Sequence, residues 1–277
     1  MEYVELHCHS NYSFLDGASH PEELVEQAWQ LGYSSLALTD HDGLYGAVQF
    51  DQAAREKGIK PIIGSEITMD DGSHLVLLAK NVKGYANLSQ LITGAQLPNQ
   101  KNEAKATLEL LDKYHEGLIA LSGCPLGAVP KALLSGNYEE AKGTASQLRE
   151  MFGKDDFYLE LQHHNLPSHQ TLNDRLIRLA RQCDIPLVAT NNVHYATADR
   201  RPLQDVLTCI KHRTTLDRAG SLLYPNAERH LKSTDQMAAR FAHCPEAVAN
   251  TAVIADQCWF LMSQLKTSLP DFPVPDG

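Results

Sequence analysis

His7-Cys8-His9 places two imidazoles two residues apart. On an extended backbone such residues project to the same side, so both rings can reach one metal ion while Cys8 faces away. Further residues with ligating or proton-transferring atoms follow downstream: Asp16, Asp40-His41-Asp42, Glu66, His74, Cys124, His163-His164 and Asn192-Val193-His194. The set His7, His9, Asp16, His41, Glu66, His74, Cys124, Asn192 and His194 is too large for one ion and suits two or three sharing a carboxylate. Imidazole, carboxylate and thiol together favour zinc, with manganese or iron compatible and magnesium or calcium less so. Divalent ions held by few carboxylates leave a positive pocket that attracts phosphate, and a water shared between two of them ionises near neutral pH and attacks phosphorus. The chemistry implied is phosphoester hydrolysis. Glu66, His41 and Asp40 are expected to serve the reaction itself. Asp40 and Asp42 flank His41, where orienting an imidazole competes with simple turn formation. His163 and His164 are expected either to contact substrate or to end a strand. The other histidines, His20, His115, His169, His212, His230 and His243, fall on helices or in turns and are left out of the site.

Residues this far apart in sequence meet only if the elements bearing them converge. Short apolar runs at Val4-Glu5-Leu6, Ser35 to Thr39, Lys60 to Ile63, Leu75 to Ala79, Gly117 to Leu121, Phe157 to Leu161 and Pro186 to Thr190 read as strands. Each candidate group follows one of them except His74, which precedes Leu75 and sits across a proposed hairpin from Glu66. Helical patterns lie between: Ser19-His20-Pro21-Glu22 supplies a capping serine and a first-turn proline for a helix closed by Gly32. Leu44 to Lys57, Tyr138 to Phe152 and Ser168 to Cys183 read likewise. Strands alternating with helices predict an α/β barrel or a doubly wound sheet, and in a barrel the strand carboxyl ends gather on one face. Asp70-Asp71-Gly72 leaves too little chain for a crossover, so Ile67 and Leu75 are expected in a hairpin. From Arg213 the pattern turns helical without strands, through Ser233 to Phe241 and Pro245 to Cys258. The proline-rich stretch from Leu269 to Gly277 reads as a linker, and the chain as a piece of something longer.

Composition removes several function classes. The formal net charge of -10 disfavours a nucleic acid lying along a broad basic face. No apolar run approaches the ~20 residues of a bilayer span, and the start lacks the basic and apolar blocks of a signal peptide, so a cytoplasmic protein with no membrane partner is expected. The 6 cysteines contain no C-x-x-C pair and read as reduced thiols. Phosphate loops, a G-x-S-x-G elbow and a dinucleotide fingerprint are missing, which removes kinase, serine hydrolase and Rossmann dehydrogenase readings. Histidine, at 13 of 277 residues, is the excess that calls for explanation.

His7-x-His9, Asp16, Thr39-Asp40-His41, Glu66, His74, Cys124 and Asn192-x-His194 resemble the polymerase and histidinol phosphatase (PHP) superfamily. Glu5 to Ser10, Ser13 to Leu24, Leu38 to Gly46 and Pro225 to Leu231 look like the amino-terminal PHP domain of bacterial DNA polymerase III α subunits, especially the error-prone type. The resemblance implies a distorted seven-stranded β/α barrel over residues 1–212, with a trinuclear metal cleft. Residues 213–277 would be a C-terminal helical extension and linker toward a polymerase core. It assigns His7, His9, Glu66 and position 192 to one metal, Glu66, His74 and Cys124 to a second, and Asp16, His41 and His194 to a third. The family usually carries aspartate at position 192, where Asn192 offers a neutral carbonyl oxygen. The activity implied is hydrolysis of DNA 3' ends, of the 3'-5' exonuclease type. The partners implied are the rest of a polymerase α subunit and replication or repair proteins. A free-standing phosphatase of a small phosphomonoester would leave the helical segment after Arg213 unexplained. A catalytically silent, metal-stabilised module is the third reading.

Overall fold

Apolar runs bounded by turn residues become six strands among the described residues, which are 2–99 and 103–265 of a computed structural model. They are β1 (Ser35–Leu38), β2 (Lys60–Thr68), β3 (His74–Ala79), β4 (Leu118–Leu121), β5 (Phe157–Gln162) and β6 (Leu187–Thr190), hydrogen-bonded in that order in one sheet. β1–β2, β4–β5 and β5–β6 pair in parallel. β3 runs antiparallel to both neighbours, because β2 and β3 form the expected hairpin with Ile67 opposite Leu75. The hairpin expected at Asp70-Asp71-Gly72 thus interrupts an otherwise parallel alternation.

The helices are α1 (Pro21–Gln30), α2 (Ala47–Glu56), α3 (Val82–Gln96), α4 (Leu108–Tyr114), α5 (Ala128–Leu134), α6 (Tyr138–Phe152), α7 (Pro167–Cys183), α8 (Arg201–Lys211), α9 (Leu216–Ala219), α10 (Thr234–Arg240) and α11 (Pro245–Gln257). α1 is capped one residue later than expected: His20 is the cap residue, and its N–H donates to Glu23 Oε2 at 2.8 Å. Ser19 Oγ instead accepts from Ala196 N, tying this turn to the far end of the fold. α6 matches its expected span, opened by Asn137 and closed by Gly153 at φ 91°.

Strand alternation sorts the core into two layers. Val76, Leu78, Ile119 and Leu121 join Val4, Leu6, Ala37, Ile62 and Val188 on one face of the curled sheet, and Ile254, Ala255 and Cys258 of and after α11 fill that side. Leu77, Leu118 and Ala120 turn the other way, against the helices. Each large side chain removed from water here contributes about 1.5–3 kcal/mol before entropy is counted.

The expected first strand, Val4-Glu5-Leu6, is not a regular strand, so six strands stand where seven were expected. Its backbone still bonds to both edges of the sheet: Ala37 N donates to Glu5 O, Thr39 N to Cys8 O, Val193 N to His7 O and His9 N to Val193 O. Side chains take the donors a ladder would use. Val4 N goes to Thr251 Oγ1, while His7 N and Asn191 N go to the Glu5 carboxylate. Burial raises that carboxyl to about 7, against the opposing pull of Tyr3 and His7 N.

Past Arg213 no strand occurs among the described residues. This segment is fastened to the sheet by Thr251, by Lys60 Nζ donating to Ala255 O at 2.6 Å, and by Asn191 Nδ2, which bonds both Glu228 O and His230 O at 2.7 Å. The proline-rich end lies outside the described residues. Among the described residues no helix is long and apolar enough to cross a membrane.

Candidate metal centre

The expected site residues come from seven places in the chain and meet at one end of the sheet. His7 and His9 lie on the amino-terminal segment, Asp16 on the loop after it, His41 after β1, Glu66 within β2, His74 at the start of β3, Cys124 after β4 and His194 after β6. Isolated parallel bridges between Cys8 and Val193, and between His41 and Glu66, fix the spacing. Two glycines make close approaches that a side chain would block. A Cβ on Gly17 would collide with Ser10 O, where the loop bearing Asp16 folds back on itself. Gly123, at φ 83°, would set one 2.6 Å from His74 O, just where the chain brings Cys124 to His74.

Glu66 is the hub. Its Oε2 lies 3.4 Å from His7 Nε2, 3.3 Å from His9 Nε2 and 3.3 Å from His41 Nδ1, while Oε1 lies 3.0 Å from His74 Nδ1. Two groups of three, His7-His9-Glu66 and His41-Glu66-His74, therefore share this carboxylate. Asp16 joins from the side, with Oδ2 3.2 Å from His41 Nε2 and Oδ1 3.2 Å from His194 Nδ1. Cys124 Sγ stands 3.9 Å from His74 Nδ1. Tetrahedral coordination with metal–nitrogen bonds of ~2.05 Å sets ligand atoms about 3.3 Å apart, which is the spacing found here.

Proton positions sharpen this. His7 Nδ1 lies 2.7 Å from Glu160 Oε1 and must donate, because a carboxylate only accepts. Ser13 Oγ gives its own proton to Asp40 at 2.6 Å, so at His9 Nδ1, 3.1 Å away, it accepts. As neutral rings, the form that binds metal, both imidazoles thus turn bare Nε2 atoms inward. In that form His7 Nε2, His9 Nε2 and Glu66 Oε2 make a triangle of acceptors with no donor among them, the two nitrogens 3.1 Å apart; without metal, a second proton on His7 fills it. A cation at its centre relieves that repulsion. Asn192 Oδ1 is likewise buried with no hydrogen-bond partner, while His194 Nδ1 faces only Asp16 Oδ1 at 3.2 Å. The donor set and its orphaned atoms fit divalent metal ions.

The electrostatics follow the same lines. Burial opposes charge on His7, yet Glu160 and Glu66 outweigh it and raise the ring to about 10. Burial and the neighbouring His41 hold His9 well below its usual value. Glu66 is driven well below the carboxylate range by His7 and His41 despite burial, and Asp16 likewise by His194 and His41. Burial, reinforced by Glu66, pushes the Cys124 thiol well up.

Other expected residues sit differently. Asp40 touches no imidazole; it accepts from Ser10 N, Ser10 Oγ and Ser13 Oγ, and so anchors the loop carrying Asp16. Asp42 binds Thr68 and shapes the turn after His41. Asn192 is buried in a left-handed conformation at φ 42°, its Nδ2 3.5 Å from Gln162 Oε1. His163 Nδ1 accepts from Asn165 N, and His164 Nε2 lies 2.8 Å from Asn191 O; neither falls in the two ligand groups. Sequence reasoning missed Glu160, an acid inside an apolar strand, and that oddity is the signal that could have found it. It also gave no role to Ser13, Tyr224 or Arg229.

Residues 5–164 match the family model described as PHP domain. The chain is 40% identical over its whole length to an error-prone DNA polymerase of Symbiobacterium thermophilum, covering 27% of that protein. It is 39% identical, over 99% of its length, to a DNA polymerase III subunit alpha of Treponema pallidum, covering 25% of it. The chain thus spans about a quarter of the length of these curated relatives. A looser likeness, to an amidohydrolase structure from Chromobacterium violaceum, has a TM-score of 0.46 at 15% identity over 70% of this chain and 88% of that one. It carries no functional argument.

Proposed function

The chain belongs to the PHP domain family, and on that premise we propose that it is a metal-dependent phosphoesterase hydrolysing DNA 3' ends, 3'-5' exonuclease style, as part of an error-prone polymerase III α subunit. The observation that carries this reading is the inward-facing triangle of acceptors at His7, His9 and Glu66, with a second set sharing Glu66 beside it. In this reading His7, His9, Glu66 and Asn192 hold one ion. Glu66, His74 and Cys124 hold a second, and Asp16, His41 and His194 a third. His41 presents one nitrogen to Glu66 and the other to Asp16, so it ties the sets together. Bound there, two or three divalent ions, zinc by donor type with manganese or iron compatible, acidify an attacking water and neutralise charge on phosphorus. Glu160 and Ser13 keep protons on the outward nitrogens of His7 and His9 and so aim the inward ones. Asp40 acts through Ser13. Glu5 to His9, bonded to Ala37 and Thr39 on one side and to Val193 on the other, close the sheet as a seventh stave would.

A small phosphomonoesterase is the weaker reading, because the segment after Arg213 is built into the core and not appended to it. The test compares turnover, at measured metal content, of a 3'-labelled DNA strand and of a small phosphomonoester. Shortening of the strand from its 3' end is expected. Turnover of the monoester alone would replace this reading with the phosphatase, and turnover of neither would leave a metal-stabilised brace for a polymerase.

A further inference from the structure

Arg229 stands beside the centre without an anionic partner. It belongs to a stretch held against the end of β6: His194 N donates to Arg229 O at 2.9 Å, and Tyr195 and His230 form a parallel bridge. The residue is 9% exposed. The guanidinium lies over the Tyr224 ring, 4.0 Å from the centroid, with Nη1 3.3 Å from His194 Nε2 and 3.5 Å from Asn192 O. Among the described residues no carboxylate oxygen comes within 4.0 Å of it. The adjacent Glu228 is taken by Lys232 at 3.0 Å and Arg240 at 2.8 Å. Five N–H donors thus have two long contacts between them, and a buried cation lacking a counter-ion is strongly unfavourable. A fold retains such a group where an anion arrives.

We propose that Arg229 binds a phosphate oxyanion of the substrate, two of its N–H groups pairing with two non-bridging oxygens while Tyr224 holds the guanidinium plane. A second cation, Lys211, reaches the same edge of the centre with Nζ 3.9 Å from Asp16 Oδ2. The proposal rests on the phosphoesterase reading and deepens it: the stretch after Arg213 supplies the phosphate-recognising group, and the metal ligands lie elsewhere. A phosphodiester at a strand end and a phosphomonoester share this recognition chemistry.

The test uses the purified, metal-loaded chain with inorganic phosphate as probe, followed by calorimetry, alongside metal content and Tm. Arg229→Met is expected to keep its metal, melt no lower than wild type, and bind phosphate about ten- to hundredfold more weakly. Arg229→Gln, which retains a donor toward His194, is expected to show the same loss. Wild-type phosphate affinity in either variant would overturn the proposal, as would a methionine variant that unfolds or sheds metal, since Arg229 would then be a brace. No phosphate binding by the wild type at full metal content would overturn it too. Repeating the titration with a dinucleotide and with phenyl phosphate separates the two sources, the diester being expected to show the larger dependence on Arg229. Wild-type protein that binds phosphate through Arg229 yet hydrolyses nothing would refute the catalytic reading and leave this one standing.

Discussion

Replacing Glu66 by glutamine keeps the volume and one accepting oxygen but removes the charge at the point where four imidazoles converge. Because Glu66 belongs to both three-residue groups, the change weakens two ion sites at once and leaves the Asp16, His41 and His194 set as the remaining donor group. A ligand at 100 times its Kd stabilises the folded state by about 2.7 kcal/mol per site. For a chain of this size 1 kcal/mol moves Tm by roughly 2–4 °C, so each filled site adds about 5–10 °C. Wild-type protein is therefore expected to lose about 10–20 °C when both Glu66-dependent sites are stripped by a chelator. Glu66→Gln is expected to show little of that metal-dependent increment and to bind at most one ion per chain. The comparison is made within each variant, metal against chelator, because the stripped variant also loses the carboxylate that supports His7. Calorimetric melting with elemental analysis reads both quantities. A Glu66→Gln protein with undiminished metal content and the full increment would refute the shared-carboxylate argument.

Other changes have separate readouts. Glu160→Gln removes the charge behind His7 Nδ1 and is expected to weaken metal binding about 10–100-fold in a chelator competition, with the fold retained; unchanged affinity would show that His7 needs no orientation from Glu160. Asn192→Asp is expected to tighten metal binding by at least about tenfold while lowering the Tm of the stripped protein, because its oxygen is buried without a partner. A stripped Tm that rises would contradict this. Burial opposes charge on Glu228, but Arg240 and Lys232 outweigh it and hold its carboxyl down to about 2, against about 4.5 ordinarily. Its stabilising contribution is therefore full above about pH 4.5 and lost as pH falls toward 2. The stability gap between wild type and Glu228→Gln should close over that window; a gap independent of pH would count against the ion pairs.

The candidate ligands were legible in the sequence because each stands next to an apolar run, and parallel strands bring such positions to one end. His7, His9, Asp16, His41, Glu66 and Cys124 meet by that logic, and His74 joins them from the start of antiparallel β3 through the hairpin with β2. What escaped it is set by contacts that periodicity does not encode. Val4 to Leu6 reads as a strand by its apolar residues, yet the Glu5 carboxylate takes the backbone donors of His7 and Asn191. Asp40 flanks His41 in sequence but turns to Ser10 and Ser13, so its influence on the imidazoles passes through a hydroxyl. α3 was hidden by Gly84 and Gly94. Gly84 packs against Gly117 across a gap too narrow for a side chain, a reason visible only in three dimensions. Arg229 comes to His194 because Asn191 clamps the chain on both sides of it, 35 residues and several helices later in sequence than the histidine.

The most direct measurement is anomalous diffraction from crystals of the zinc-loaded protein. The account predicts peaks on two sides of the Glu66 carboxylate, one shared with His7 and His9 and one with His74, and a third beside Asp16. Zinc bound elsewhere on the protein, with no peak within bonding distance of Glu66, would contradict it.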